Sequence, residues 1–203
     1  MKLLLTSGGL SNGELSSAVA ELAEKPLHQL SLAYIPTAAN VIDEDKGWQV
    51  DHLIRLQSLA FAKLDIVDFS GLKYEEWFSR LDAADVLMFE GGSTPHLVDK
   101  ARESGLKDAL EGWLDSKVFV GVSAGSVMVT PVIGPNGDPG FAWVDFLIVP
   151  HMNAPYRNRT AEDVQGIATK FGRTTFWIDD ESAIRVDGAK LDTIGKGCVP
   201  FTG

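Results

Sequence analysis

Short apolar runs alternate with longer amphipathic stretches along this chain. Six runs of four to seven residues come before residue 150: Lys2–Thr6, Leu30–Pro36, Leu64–Phe69, Val86–Phe89, Lys117–Val122 and Phe146–Val149. Several of them are apolar at successive positions, which is typical of strands that are buried on both faces of a parallel sheet. The pattern therefore predicts strands separated by helices.

Two of the intervening stretches carry apolar residues at helical spacing, which predicts helices. The stripe on Trp48–Leu64 consists of Leu53, Leu56, Leu59 and Ala60, and that on Pro95–Trp113 of Leu97, Ala101, Leu106 and Leu110. Thr94 before Pro95 predicts an N-cap followed by proline at the first helical position. Strands and helices that alternate so regularly predict an α/β fold, in which a doubly wound, mostly parallel sheet has helices on both faces.

The pattern loosens after Pro131. The segment Ile133–Gly140 is rich in glycine and proline and predicts a loop or hairpin. Short strands are predicted beyond it at Phe176–Ile178, Ala183–Val186 and Leu191–Ile194, with a hairpin turn at Asp187-Gly188. Because no linker divides the chain, we expect residues 1–203 to form a single α/β domain.

The composition of the chain argues against several classes of function. The chain has 28 acidic and 18 basic residues, a net charge of −10, which argues against nucleic acid because phosphate binding draws on clustered Lys and Arg. No apolar run approaches the ~20 residues of a membrane span. The single cysteine, Cys198, excludes an intrachain disulfide framework and a multi-cysteine zinc site. We therefore expect a cytoplasmic protein that uses neither metal nor cofactor.

The strongest chemical signal is the segment Gly121–Gly125, which fits the pattern G-x-S-x-G with Ser123 as the serine. It follows a buried strand and precedes a plausible helix at Ser126–Thr130, the strand-turn-helix context that gives this motif its meaning. Such a turn lifts the serine hydroxyl out of the sheet and leaves backbone amides for an oxyanion. A glycine-rich turn without chemistry, or a phosphate-binding turn, would have a similar pattern.

A second signal, Glu90–His96, begins at the end of the predicted strand Val86–Phe89. Ligands of doubly wound sheets bind at the carboxyl ends of the strands, so both turns should face one crevice. A Gly-Gly pair lets the backbone approach a substrate closely, and the Gly92 amide would then be an oxyanion donor beside the amide of Ala124. A tight turn before a capped helix explains the same residues.

A serine nucleophile needs a base, and the chain has four histidines. His28 and His52 are expected to be structural or on the surface, and His96 is close enough to the Gly-Gly turn to line a pocket. His151 follows the predicted strand Phe146–Val149 at its carboxyl end and is the best base by position. Candidate acids are Glu181, Asp138 and Asp145, and spacing alone does not choose among them.

Four motifs, in this order along the chain, resemble the peptidase E and cyanophycinase family of serine peptidases: Gly91–Thr94, Gly121–Ser126, Pro150-His151 and Asp180–Ala183. The resemblance extends over nearly the whole chain, from Leu3–Ser7 and Tyr34–Ala38 onward. It implies a flavodoxin-like fold akin to class I glutamine amidotransferases, with serine in place of cysteine at the turn. It also implies metal-free hydrolysis of peptide or peptide-like bonds next to aspartate.

The roles implied by this resemblance are nucleophile, base and acid for Ser123, His151 and Glu181, and an oxyanion hole for the amides of Gly92 and Ala124. Chain order favours this arrangement over an α/β-hydrolase, in which the acid precedes the histidine. A residue beside a strand end is also held more rigidly than one in a loop rich in glycine and proline, so we expect Glu181 rather than Asp138 to be the acid.

Two departures from the family bear on the substrate. Ser93 stands where many members have Asn or another amide or acidic residue, and the segment Met152–Asp163 is shorter than in peptidase E and has no second histidine. Candidate substrate-binding residues are Gly91, Ser93 and His96, together with Arg157 and Arg159, which could pair with a substrate carboxylate.

The sequence therefore predicts a serine hydrolase that cleaves a small peptide or isopeptide through an acyl-enzyme. It predicts no nucleic-acid or membrane partner and is compatible with a homodimer. Two alternatives remain at this stage. One is a non-catalytic ligand-binding member of the same fold, and the other is an esterase or acyl-transferase that uses the same serine turn.

Overall fold

The computed structural model describes residues 1–152, 154–155 and 158–203. The strands in these residues are β1 (Lys2–Thr6), β2 (Ser31–Ile35), β3 (Lys63–Ile66), β4 (Val86–Phe89), β5 (Val118–Val122), β6 (Leu147–Val149), β7 (Thr175–Ile178), β8 (Ala183–Asp187), β9 (Lys190–Ile194) and β10 (Cys198–Phe201). The α-helices are α1 (Gly13–Ala23), α2 (Thr37–Asn40), α3 (Gly47–Ser58), α4 (Tyr74–Asp82), α5 (Thr94–Glu103), α6 (Leu106–Trp113), α7 (Ala124–Val127) and α8 (Ala161–Phe171).

The central sheet has seven strands in the order β3-β2-β4-β5-β1-β8-β9. The first five are parallel, and β8 and β9 extend the sheet in antiparallel pairing. Alternate residues of each strand face opposite cores: Leu3 and Leu5 pack on one side of the sheet, and Leu4 packs on the other. A strand between two apolar layers needs apolar residues throughout, which is why β1, β4 and β5 were recognisable as continuous runs. The predicted doubly wound, mostly parallel α/β fold is confirmed.

The remaining three strands form a second sheet in the order β10-β7-β6. β6 pairs parallel with β7, and β10 pairs antiparallel with β7. The sequence predicted β6 and β7 but did not separate them from the central sheet. It missed β10 altogether, because Pro200 and glycine neighbours interrupt any alternating pattern there.

Two predicted helices differ from the structure. Pro95–Trp113 is divided into α5 and α6 by Gly105, whose φ of +77° lies in the left-handed region. The N-cap of α5 is Ser93 rather than Thr94, since the Ser93 hydroxyl accepts a hydrogen bond from the His96 amide at 3.4 Å. Helix α3 ends at Ser58, before the predicted end at Leu64, because the chain turns there and enters β3.

None of the helices in the described residues has the length and apolar character needed to span a membrane.

The turn between β5 and α7 depends on a close approach of two backbones. A Cβ at Gly125 would lie 2.1 Å from the carbonyl oxygen of Phe89 at the end of β4, so Gly125→Ala must push the turn and the strand apart. We expect this substitution to lower the free energy of unfolding by about 1–3 kcal/mol, measured by urea unfolding.

Gly112→Ala is the matched control, because nothing lies within 4 Å of a Cβ at this position in α6. There the added methyl group should raise stability by about 0.5–1 kcal/mol through helix propensity. Equal unfolding midpoints for the two variants would contradict the packing of this turn.

Candidate active site

The parallel strands β1, β4 and β5 end at the same edge of the central sheet, and a polar side chain follows each of them. Ser7, Glu90 and Ser123 are the residues that come directly after these strands. They open on a cleft of about 730 Å³. The cleft is lined by residues that follow strands, among them Ser7, Gly91, Gly92, Ser123, His151 and Asp180, and by Ile42, Trp48, Asp51, His52 and Arg55 from segment 42–55.

Ser123 has a strained backbone, with φ of +47° and ψ of −102°. For a residue other than glycine such a conformation costs about 1–3 kcal/mol and persists only where surrounding contacts hold it. Here the Ser123 amide donates to the Thr6 carbonyl at 3.0 Å. The two glycines of the motif are required as well, since a Cβ at Gly121 would lie 2.6 Å from the Ser126 nitrogen and one at Gly125 would meet Phe89.

His151 lies between the serine and a carboxylate. Its Nε2 is 2.9 Å from Ser123 Oγ, and its Nδ1 is 2.8 Å from Asp180 Oδ1. His151 comes two residues after β6, so a strand of the second sheet positions it beside the serine of the central sheet. The His151 backbone also has a positive φ, +63°, and its amide donates to Ser7 Oγ at 2.7 Å. These bonds aim one ring nitrogen at the serine and the other at the carboxylate.

Asp180 occupies the position beside His151 where the sequence predicted Glu181. Its Oδ1 also accepts a hydrogen bond from Ser7 Oγ at 2.6 Å. The hydrogen bond with His151 is the main cause that lowers the pKa of Asp180, the bond from Ser7 lowers it further, and burial opposes both. The carboxyl group is thus held in its ionised form.

The sequence predicted that Glu181 would orient His151, but the residue beside the imidazole is Asp180, one position earlier. The Glu181 side chain is exposed, while its amide donates to Asp179 Oδ1 at 3.0 Å and its carbonyl accepts from the Asn12 side chain at 2.9 Å. Adjacent residues of a turn point their side chains in different directions, and the spacing of three consecutive acids could not show which one faces the histidine.

The two alternative acids lie away from the cleft. Asp138 is exposed in the loop after Pro131, where its carbonyl accepts from the Ile133 amide at 2.9 Å. Asp145 is exposed and forms an ion pair with Arg173. Neither lines the cleft.

The Gly91-Gly92 turn packs directly against the serine. A Cβ at Gly91 would lie 3.3 Å from Ser123 Cβ, and one at Gly92, whose φ is +137°, would lie 2.2 Å from the Ala38 carbonyl oxygen. Within the described part of the chain, the amides of Gly92 and Ala124 have no hydrogen-bond acceptor, whereas the Gly91 amide donates to Glu90 Oε1 at 2.7 Å. Gly92 lines the cleft, and Ala124 is buried directly after Ser123. The described residues thus leave both amides unused, although only Gly92 is among the residues that line the cleft.

The other predicted substrate-binding residues do not reach the cleft or cannot be assigned to it. Ser93 is occupied as the cap of α5, and His96 is half-buried on the first turn of that helix, outside the lining. Arg159 is exposed and also outside the lining. Arg157 lies outside the described residues. Among the described residues, the arginine that lines the cleft is Arg55, from α3.

Besides Asp180, sequence reasoning gave no role in this site to Ser7, His52 or Glu90. Ser7 could have been found, because it follows a buried strand at the same sheet edge as Ser123. His52 and Glu90 form a buried pair, with 2.5 Å between His52 Nδ1 and Glu90 Oε2. No pattern signals this pair, since it joins a helix residue to a strand end 38 positions away.

Comparisons with known proteins bear on the family and the fold of the chain. A model of peptidase family S51 matches residues 3–194. The chain resembles a crystal structure described as peptidase E from Listeria monocytogenes EGD-e, with a TM-score of 0.78 and 23% identity over 97% of this chain and 98% of the other. It also resembles a peptidase from an acI-B1 Actinobacterium, with a TM-score of 0.74 and 19% identity over 96% and 87% of the two chains. No curated protein matches it.

The lowered pKa of Asp180 predicts how stability changes with pH. A carboxyl group whose pKa is lower in the folded than in the unfolded protein stabilises the fold above its unfolded pKa, which is about 3.9 for Asp. That contribution is lost as the pH falls through the folded pKa. Asp180→Asn should therefore lower the melting temperature at pH 7, and the difference from wild type should shrink at about pH 3.

The neighbouring Glu181→Gln serves as the control, because its exposed side chain has no hydrogen bond within the described residues. Its melting temperature should stay close to that of wild type at pH 7. A difference between wild type and Asp180→Asn that grows on acidification would contradict the assigned bonds.

Proposed function

Because the chain belongs to peptidase family S51, a family of serine peptidases, we propose that Ser123, His151 and Asp180 form its catalytic triad. The observation that carries the proposal is the pair of hydrogen bonds on one imidazole, 2.9 Å to Ser123 Oγ and 2.8 Å to Asp180 Oδ1. Nucleophile, base and orienting acid within hydrogen-bond reach of one another are the arrangement that serine hydrolases use on unrelated folds.

In the proposed reaction His151 Nε2 takes the Ser123 hydroxyl proton while Oγ attacks the substrate carbonyl carbon. The oxyanion that forms accepts hydrogen bonds from the amides of Gly92 and Ala124. His151 then donates its proton to the leaving amine, the C–N bond breaks, and an acyl-enzyme remains. Water attacks the ester by the same route, with His151 again acting as base, and releases the carboxylic acid.

Asp180 acts through the histidine. As an acceptor on Nδ1–H it selects the tautomer that leaves Nε2 free to take the serine proton, and it stabilises the imidazolium formed during attack. Ser7 supports this role, since its hydroxyl donates a hydrogen bond to Asp180 and accepts one from the His151 amide. We therefore regard Ser7 as a positioning residue for both partners.

The proposed substrate is a small peptide or isopeptide. Specificity for aspartate is not part of the proposal, because Glu44, Asp45 and Asp51 line the same cleft as Arg55 and would oppose another negative charge. A cytoplasmic location, a homodimer and the absence of a nucleic-acid or membrane partner stay predictions from the sequence.

A fluorophosphonate probe tests the nucleophile without knowledge of the substrate. Ser123 Oγ attacks phosphorus and displaces fluoride, and its proton passes to His151, so the label requires the same activation as catalysis. We expect stoichiometric labelling, located at Ser123 by peptide mass spectrometry, and no labelling of Ser123→Ala. Ser79→Ala is the control, because it makes the same change at an exposed serine of α4 outside the cleft, and it should be labelled like wild type.

Labelling that survives Ser123→Ala would show a different nucleophile. A folded wild-type protein that takes up no label would favour the non-catalytic alternative. Among labelled proteins, cleavage of simple esters without cleavage of any dipeptide in a panel would favour an esterase.

Activity should distinguish the two neighbouring acids. Asp180→Asn removes the acceptor that fixes the His151 tautomer, so we expect turnover to fall by about 10⁴-fold with substrate binding nearly unchanged. Glu181→Gln should keep nearly full turnover, since its side chain is exposed. Steady-state kinetics on a cleaved dipeptide measures both, and the opposite ranking of the two variants would refute the role of Asp180.

A further inference from the structure

Next to the Gly91-Gly92 turn, a buried ionisable pair lines the cleft and has no role in the proposed reaction. Glu90 and His52 are 1% and 6% exposed. Glu90 Oε2 is 2.5 Å from His52 Nδ1, and Glu90 Oε1 accepts the Gly91 amide at 2.7 Å. One carboxylate thus joins helix α3 to the backbone of the turn that packs on Ser123.

Tyr34 and Gly9 pack around this pair. The Tyr34 ring packs edge-on against His52 at 6.0 Å, and a Cβ at Gly9 would lie 2.3 Å from His52 Nε2. Within the described residues His52 Nε2 has no hydrogen-bond partner, while the Tyr34 side chain interacts with the Glu90 carboxylate. Burial and the Glu90 carboxylate both raise the pKa of Tyr34, which therefore stays neutral.

Stability alone does not explain a buried ionisable pair, because the free-energy cost of desolvating its two groups can exceed the gain from their attraction. An apolar pair of similar size would fill the same space. What an apolar pair could not do is bind the Gly91 amide. That contact takes one of the two glycine amides of the turn and leaves the next, that of Gly92, without an acceptor in the described residues.

We propose that Glu90, held by His52, is a positioning residue that sets the Gly91-Gly92 turn so that the Gly92 amide is presented to the oxyanion. Two successive glycines have wide conformational freedom, and the anchored Gly91 amide removes much of it. Rigid presentation matters because an oxyanion donor is effective only when it is oriented before the charge develops. This inference rests on the proposed function, since it assigns a means of holding its oxyanion hole.

The test compares rates of fluorophosphonate labelling at Ser123, because the phosphonyl oxygen uses the same oxyanion donors. Glu90→Met keeps side-chain length but removes the acceptor, and His52→Leu removes the donor that holds it. Both should label about 10²-fold more slowly than wild type, the scale for loss of one oxyanion donor. His52→Asn can place an amide N–H near the position of Nδ1 and should restore the rate to within a few-fold.

Asp85→Asn is the matched control at the other end of β4. Asp85 also binds a backbone amide, that of Ser31 at 2.9 Å, but it does not line the cleft. This variant should lose stability and yet label at the wild-type rate.

Wild-type protein without label at Ser123 would refute the proposed function itself. With wild type labelled, wild-type rates for Glu90→Met and His52→Leu below their melting temperatures would overturn the positioning role. Equal slowing in His52→Asn and His52→Leu would overturn it too, because loss of packing rather than loss of the hydrogen bond would then be the cause. If Glu90→Met does not fold, the two His52 variants decide the matter.

Discussion

The site depends on the hydrogen bonds that Thr6, at the end of strand β1, makes with the turn around Ser123. The Thr6 carbonyl accepts the amide of Ser123 at 3.0 Å and the hydroxyl of Ser126 at 2.7 Å. The Thr6 hydroxyl donates to the Gly121 carbonyl at 2.7 Å and accepts the Gly9 amide at 3.0 Å. One buried residue therefore binds the backbone before and at the strained turn and a side chain after it. The cost of a positive φ at Ser123 is offset by contacts that a relaxed turn would lose.

The next residue extends the same arrangement to the second sheet. Ser7 bridges Asp180 and the His151 backbone, so the strand that holds the serine turn also positions the base and the acid. His151 and Asp180 follow β6 and β7, which pair with each other and not with the central sheet. The histidine reaches the serine because both sheets end at one cleft. On the opposite side of Ser123, Glu90 and His52 hold the glycine turn in a comparable way.

The sequence was a good guide wherever one local requirement decides the residue. Strands between two apolar layers must be apolar throughout, and a turn at a strand end that approaches another backbone must contain glycine, so β4, β5 and the Gly121–Gly125 turn were predictable. His151 was placed correctly next to a strand end. Spacing does not show the direction of a side chain within a turn, and the sequence therefore predicted Glu181 at the place beside His151 where the structure has Asp180. Pairs between distant segments, such as His52 with Glu90, left no pattern at all.

The central claim is that Ser123, His151 and Asp180 act on a carbonyl whose oxygen is held by Gly92 and Ala124. A crystal structure of the phosphonylated protein tests it most directly. The account predicts phosphorus bonded to Ser123 Oγ and the phosphonyl oxygen about 2.7–3.1 Å from both amide nitrogens, with the His151–Asp180 hydrogen bond retained. Phosphorus on another residue, or a phosphonyl oxygen that points to solvent away from both amides, would contradict it.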